Sequence, residues 1–471
     1  MIKHKEIDIV AGNPFANCKL DRHQYAKVLT SIVDTYADGF VLAINNKWGT
    51  GKTTFVKMWE QDLKDNKYQT VYFNAWENDF ENNPLTALMG ELKTLTKEET
   101  EPKFKTVLNR AAILSKHIAP VVVKAIADRY INTDGIKEAI EKVTEGVTNI
   151  FENEVNDYAE KKKGITEFRT SLSKFIADTN EGKPLIFIVD ELDRCRPDYA
   201  VAILEQIKHF FSVPNIVFVL SIDKGQLGNA VRGVYGSEQI DAEEYLRRFI
   251  DIEYSIPEPD SEKYCDYLYN YFGLNEFFNS DLRSRISQLN YDGMTFLKTA
   301  KILFKNTNVS LRQQEKIFAH SRLVLRSFPY NNFVFPNLFL FLIYIKTLNN
   351  AFYNKIKFKQ LSLKDLQIEF MTTINFISQD DFDYEIIDLE AYLIHYYNNY
   401  VFTRSNRSLL FEEDTNTKQN KLLINSLTDK SPDGSRFLTI LESRSRGYDN
   451  GGDINIEFLF RKIDITQSIT F

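Results

Sequence analysis

The stretch that most constrains this chain is an apolar run, Phe40-Val41-Leu42-Ala43-Ile44, that passes directly into Asn46-Lys47-Trp48-Gly49-Thr50-Gly51-Lys52-Thr53. An uncharged run of that length reads as a buried strand, and the segment Thr53 to Leu63 behind it carries apolar residues at helical spacing. A strand, a glycine-rich turn and a helix form the context a nucleoside triphosphate needs. Backbone N–H groups of the turn and of the first helical turn can point at phosphate oxygens, and the helix dipole adds partial positive charge. Lys52 then reaches the β- and γ-phosphates, while the Thr53 hydroxyl is placed to ligate Mg²⁺. Thr54 extends the cradle by one further N–H. The first glycine of the usual G-x-x-x-x-G-K-[ST] pattern is Asn46 here. Asn tolerates a left-handed backbone better than other non-glycine residues, so a working loop with Asn46 in that conformation is expected.

The complementary half of such a site lies far downstream. Pro184-Leu185-Ile186-Phe187-Ile188-Val189 suits a strand buried on both faces, and it ends in Asp190-Glu191-Leu192-Asp193-Arg194. A carboxylate at a strand's carboxyl tip can hold Mg²⁺ or its water, which gives Asp190 the metal role alongside Thr53. Glu191 is placed to polarise an attacking water. Asp193 and Arg194 are expected to form a polar cluster at the mouth.

Further strands are expected over Thr70 to Trp76, Asn215 to Leu220 and, with an edge-like alternation, Ile250 to Ile256. Helices fall over Asp21 to Asp34 and Tyr199 to Phe211. This alternation implies an α/β fold with a mostly parallel sheet whose ligand sits at the carboxyl ends of the strands. The core is expected over residues 1–83 and 179–260, interrupted by a helical insertion at 84–178, with a helical lid and a mainly α C-terminal domain over 261–471. The insertion reads equally as a partner-facing hairpin and as a solvated helical decoration. The Ser, Gly, Asp and Asn of Ser431 to Asp453 read as a loop, and Ile454 to Phe460 as a terminal strand.

Composition bounds the function classes. With a net charge of −7 there is no global basic field to draw nucleic acid. Three cysteines (Cys18, Cys195 and Cys265) without a C-x-x-C pair argue against a disulfide framework or structural zinc and for a reducing compartment, the cytoplasm. The apolar stretch near Leu338 to Ile345 is too short to span a bilayer and reads as a buried helix. Tyr392 to Tyr400, with Arg404, Arg407, Arg436, Arg444 and Arg446, could stack on and neutralise a nucleic-acid strand.

Five segments taken together resemble the KAP family of P-loop NTPases: Lys47 to Thr53 with its tryptophan, Phe73-Asn74-Ala75-Trp76, Val189 to Cys195, Phe218 to Asp223, and Glu244 to Ile250. They span roughly residues 10 to 260. The resemblance implies an additional-strand P-loop NTPase related to AAA+ and STAND ATPases, using ATP and Mg²⁺. Members often carry membrane-spanning helices where the insertion sits here. This insertion is too charged for that and resembles the soluble bacterial branch, some of whose members are linked to exclusion of phage or other invading DNA. In that frame Ser221 and Asp223 are sensor candidates beside the γ-phosphate. Arg232, Arg247 or Arg248 could supply the transition-state arginine, with Arg248 taken here, in cis or from a neighbouring subunit. Arg312, behind the capping box opened by Ser310, takes the sensor-2 position. Asn13, Pro14, Arg22 and Tyr25 could line the base. A switch of this kind implies oligomerisation or a partner effector. A scaffold with little turnover and a nucleic-acid-stimulated motor are the competing readings.

Overall fold

The computed structural model describes residues 7–36, 38–127, 147–179, 182–209, 211–378, 384–403, 405–415, 418–445 and 454–464, with side chains undescribed from 115 to 157. The chain divides into two units, Met1–Glu258 and Pro259–Phe471.

The first unit is built on a five-stranded sheet ordered β2-β3-β4-β1-β5 (β1 Val41–Asn45, β2 Thr70–Asn74, β3 Leu185–Asp190, β4 Ile216–Ile222, β5 Ile252–Tyr254). Every pairing is parallel. β3 and β4 are buried along their whole lengths, as expected of parallel strands covered on both faces by crossover helices. β4 separates the strand that feeds the glycine-rich turn from the strand that ends in Asp190, which is the additional-strand arrangement.

Strand alternation sorts side chains into two cores. On one face Leu42, Ile44, Ile186, Ile188, Val217 and Val219 pack against α1 (His23–Thr35) and α2 (Lys52–Asp65), with Trp59 fully enclosed. On the other, Phe73, Phe187, Phe218 and their neighbours meet α3 (Pro84–Leu92), α4 (Glu101–Ala127), α5 (Val147–Thr179), α6 (Pro197–His209), α7 (Lys224–Tyr235) and α8 (Ala242–Leu246). The helices that interrupt the sheet are therefore rooted in its core. Phe104 and Phe175 pack ring to ring at 5.1 Å, Phe168 meets Phe211 edge-on at 5.8 Å, and Arg110 pairs with Glu167 at 2.7 Å. Residues 128–146 of the expected insertion lie outside the described residues.

The second unit is helical apart from a short hairpin, Phe411–Glu413 with Asn420–Leu422. Its centre is the helix Pro336–Leu348, in which every residue from Leu338 to Ile345 is buried. Two expectations fail here. Ser435–Ser445 is a helix inside the stretch read as a loop. The tail is no strand: Glu457–Asp464 is a helix that buries Leu459, Phe460 and Ile463. Its period-2 look also fits an amphipathic helix, and Lys346, Lys357 and Tyr353 fix Asp464 at its end. Among the described residues no helix is long and apolar enough to cross a membrane.

Candidate functional site

Alternation along β3 and β4 places Asp190 and Ser221, adjacent in register, on the face that carries α2. The same helix begins with Lys52, so the two distant motifs meet at the carboxyl ends of the strands. Gly49 and Gly51 both have positive φ (79° and 80°), the left-handed conformation that lets the turn close in front of the helix. Lys52 Nζ donates across the loop to the carbonyls of Asn46 (2.5 Å) and Lys47 (3.2 Å). Thr50 Oγ1 donates to the Lys47 carbonyl at 2.9 Å, and Arg22 spans the carbonyls of Thr50 (2.9 Å) and Gly51 (3.3 Å). Arg22 thus braces the loop through its carbonyls. Thr53 and Thr54 occupy the first turn of α2.

Asn46 departs from expectation, since it is not among the residues of positive φ. Its side chain explains its presence. Nδ2 donates to the Ile256 carbonyl at 2.8 Å and Oδ1 accepts from the Ile256 N–H at 2.9 Å, while its own N–H donates to the Ile222 carbonyl. The amide extends the β1–β5 pairing past the end of β1, which a glycine could not do.

Around Lys52 stand three carboxylates. Burial pushes the Lys52 ammonium below its ordinary pKa, while Asp193, Asp223 and Asp190 act to raise it. Burial likewise pushes Asp193 up, against the Trp48 indole N–H that donates to it and the charge of Lys52. Asp190 accepts from the Tyr72 hydroxyl at 2.8 Å and from the Glu191 N–H at 3.0 Å. Tyr72, half-buried and raised in pKa by burial and the charge of Asp190, lies outside the residues expected at the site; it is on β2 two residues before Asn74, the residue opposite Asp190. Asp223 caps α7 through the Gln226 N–H and accepts the Trp48 N–H at 3.2 Å. Trp48 therefore ties the loop to the segments after β3 and after β4. The Ser221 hydroxyl is fully buried without a hydrogen-bond partner, beside Asp190. An orphaned hydroxyl next to a carboxylate and a buried ammonium suits a polar, hydrated ligand with a hard cation.

Glu191 sits at φ 60°, ψ 25°, and its carboxylate pairs with Arg194 at 2.8 Å. Arg248 is not brought to this cluster. It is exposed in the turn before β5, where Asp251 bonds Val41 at the entry of β1, so it lies at the opposite end of the sheet. Arg247 pairs with Glu244, and Arg232 reaches Asn229. Arg312 belongs to the second unit, as the second residue of the helix Leu311–Leu325 behind the Ser310–Gln313 capping box. Of the tyrosines read as a stacking surface, Tyr392, Tyr396 and Tyr397 are core, and Arg444 lies over the Tyr392 ring at 4.5 Å. Arg404 and Arg446 lie outside the described residues.

Comparison with known proteins agrees with this geometry. The model of the KAP family P-loop domain matches residues 22–320. An uncharacterised protein of Methanocaldococcus jannaschii is 30% identical over 174 residues, which cover 32% of this chain and 88% of that protein.

Proposed function

The chain belongs to the KAP family of P-loop domains, and from that premise we propose that it binds ATP with Mg²⁺ and hydrolyses it as a conformational switch. The observation that carries the reading is the convergence of Lys52, Asp190, Asp193 and the unpartnered Ser221 hydroxyl at the mouth of a loop with two left-handed glycines. Backbone N–H groups from Lys47 to Thr54 and the Lys52 ammonium bind the phosphates. Thr53 and Asp190 are the residues to hold Mg²⁺, which when bound neutralises charge on the β- and γ-phosphates. Glu191 takes a proton from the attacking water, and Ser221 orients the water or the γ-phosphate. Asp223, already bonded to the loop at Trp48, transmits displacement of the loop into α7.

The setting we propose, defence of a bacterial cell against phage or other foreign DNA alongside a partner effector, comes from the family resemblance. A second reading, a tightly binding scaffold with little turnover, is favoured by the engagement of the Glu191 carboxylate with Arg194.

Calorimetric titration with ATP and Mg²⁺, followed by steady-state phosphate release, tests the proposal. Lys52→Ala should abolish binding. Glu191→Gln should retain binding and lose about 10²-fold or more in turnover, the scale of general-base catalysis. Normal turnover in Glu191→Gln would remove that residue's role. Tight binding with no release in the wild type would favour the scaffold.

A further inference from the structure

Backbone geometry at the end of β3 forces a side-chain pair that the hydrolytic reading leaves unused. Glu191, left-handed at φ 60°, caps the single 3₁₀ turn Leu192–Arg194, and the Arg194 N–H donates to the Glu191 carbonyl at 3.1 Å. Residues three apart eclipse one another in such a turn. The Glu191 carboxylate and the Arg194 guanidinium consequently lie together at 2.8 Å, with their side chains only 13% and 24% exposed. On its other side Arg194 lies 5.7 Å from the ring centroid of Trp76, within the range of a cation–π contact. Trp76 follows β2, is 50% exposed, and stands outside both cores.

We infer that Arg194, positioned by Trp76, is a restraint on Glu191 that keeps basal turnover low. The inference rests on the assignment of Glu191 as the base. A carboxylate that already accepts a charge-assisted hydrogen bond is oriented by its partner rather than by an attacking water. Displacement of the guanidinium releases the base without moving the strand that carries it. Trp76, an exposed ring adjoining the arginine, is the point at which such a displacement can be imposed from outside.

The restraint acts through one carboxylate, so its signature is dependence on that carboxylate. Arg194→Ala should raise basal kcat by about fivefold, the scale of a single part-exposed ion pair, with KM little changed. Arg194→Lys should stay nearer the wild type. Trp76→Ala, at an exposed position outside the cores, should raise kcat in the same direction, and Trp76→Phe should not. In a Glu191→Gln background Arg194→Ala should have no accelerating effect, a coupling that loss of packing alone would not produce. Unchanged or lowered kcat in both Arg194→Ala and Trp76→Ala, with binding of ATP and Mg²⁺ intact by calorimetry, would overturn the restraint and leave the nucleotide site standing. Absence of binding in the wild type would overturn both.

Discussion

Asn46 illustrates how a single side chain is selected by a partner distant in sequence. The residue stands where the P-loop pattern has glycine, yet its backbone makes no use of the left-handed freedom for which Asn is known. Its amide instead makes two hydrogen bonds to the backbone of Ile256, holding the end of the edge strand against β1. Replacement by glycine should leave ATP affinity nearly intact and lower stability by about 1–2 kcal/mol, the net worth of two part-buried hydrogen bonds. Urea denaturation monitored alongside calorimetry checks both halves. An unchanged denaturation midpoint would show that the amide clamp contributes nothing. The lysine, the two glycines and Asp190 were legible in sequence because phosphate binding dictates their spacing. Trp48's bonds to Asp193 and Asp223, and Tyr72's bond to Asp190, were not, because strand order rather than chain order makes those residues neighbours.

Among the elements, helices and strands of the first unit lie close to where periodicity places them, since each is bounded by strong turn chemistry and buried on a defined face. Periodicity misled in the second unit, where Glu457–Asp464 carries apolar residues that suit a strand or a helix equally and tertiary anchoring of Asp464 selects the helix. The helix Tyr384–Val401 is buried over nearly its whole circumference, and it holds His395 in the interior beside Asn399. Burial, with Arg407 and Arg444 nearby, pushes His395 down to about 4. A base whose folded pKa lies below its unfolded value is protonated first in the unfolded chain. Its contribution is therefore present above about pH 6.5 and is lost as the pH falls toward 4. His395→Gln should flatten the acid loss of stability across that window, by on the order of 2 kcal/mol. Guanidinium denaturation at pH 7 and pH 4.5 measures it, and equal slopes for the two proteins would contradict the assignment.

Across the whole molecule, parallel connection of the strands gathers the tips of β1, β3 and β4 at one end of the sheet and sends Arg248 to the other. The five residues of β1 alone span roughly 16 Å, too far for an arginine before β5 to reach its own phosphate site around the strand end. If Arg248 supplies the transition-state cation it does so for a second copy. Arg248→Ala should then lose about 10³-fold in turnover, and mixing it with the nonbinding Lys52→Ala should restore activity. No recovery on mixing, at concentrations where the chain self-associates, would exclude the role in trans. Residue chemistry and spacing alone were enough to specify the phosphate loop, the acidic strand tip, the α/β alternation and the family likeness, because each depends on neighbours within one element. Which carboxylates surround Lys52, why Asn46 replaces a glycine, how Glu191 is held, and at which end of the sheet Arg248 lies were decided only by tertiary structure. Those outcomes depend on strand order and on side chains meeting across it, and no local pattern encodes either.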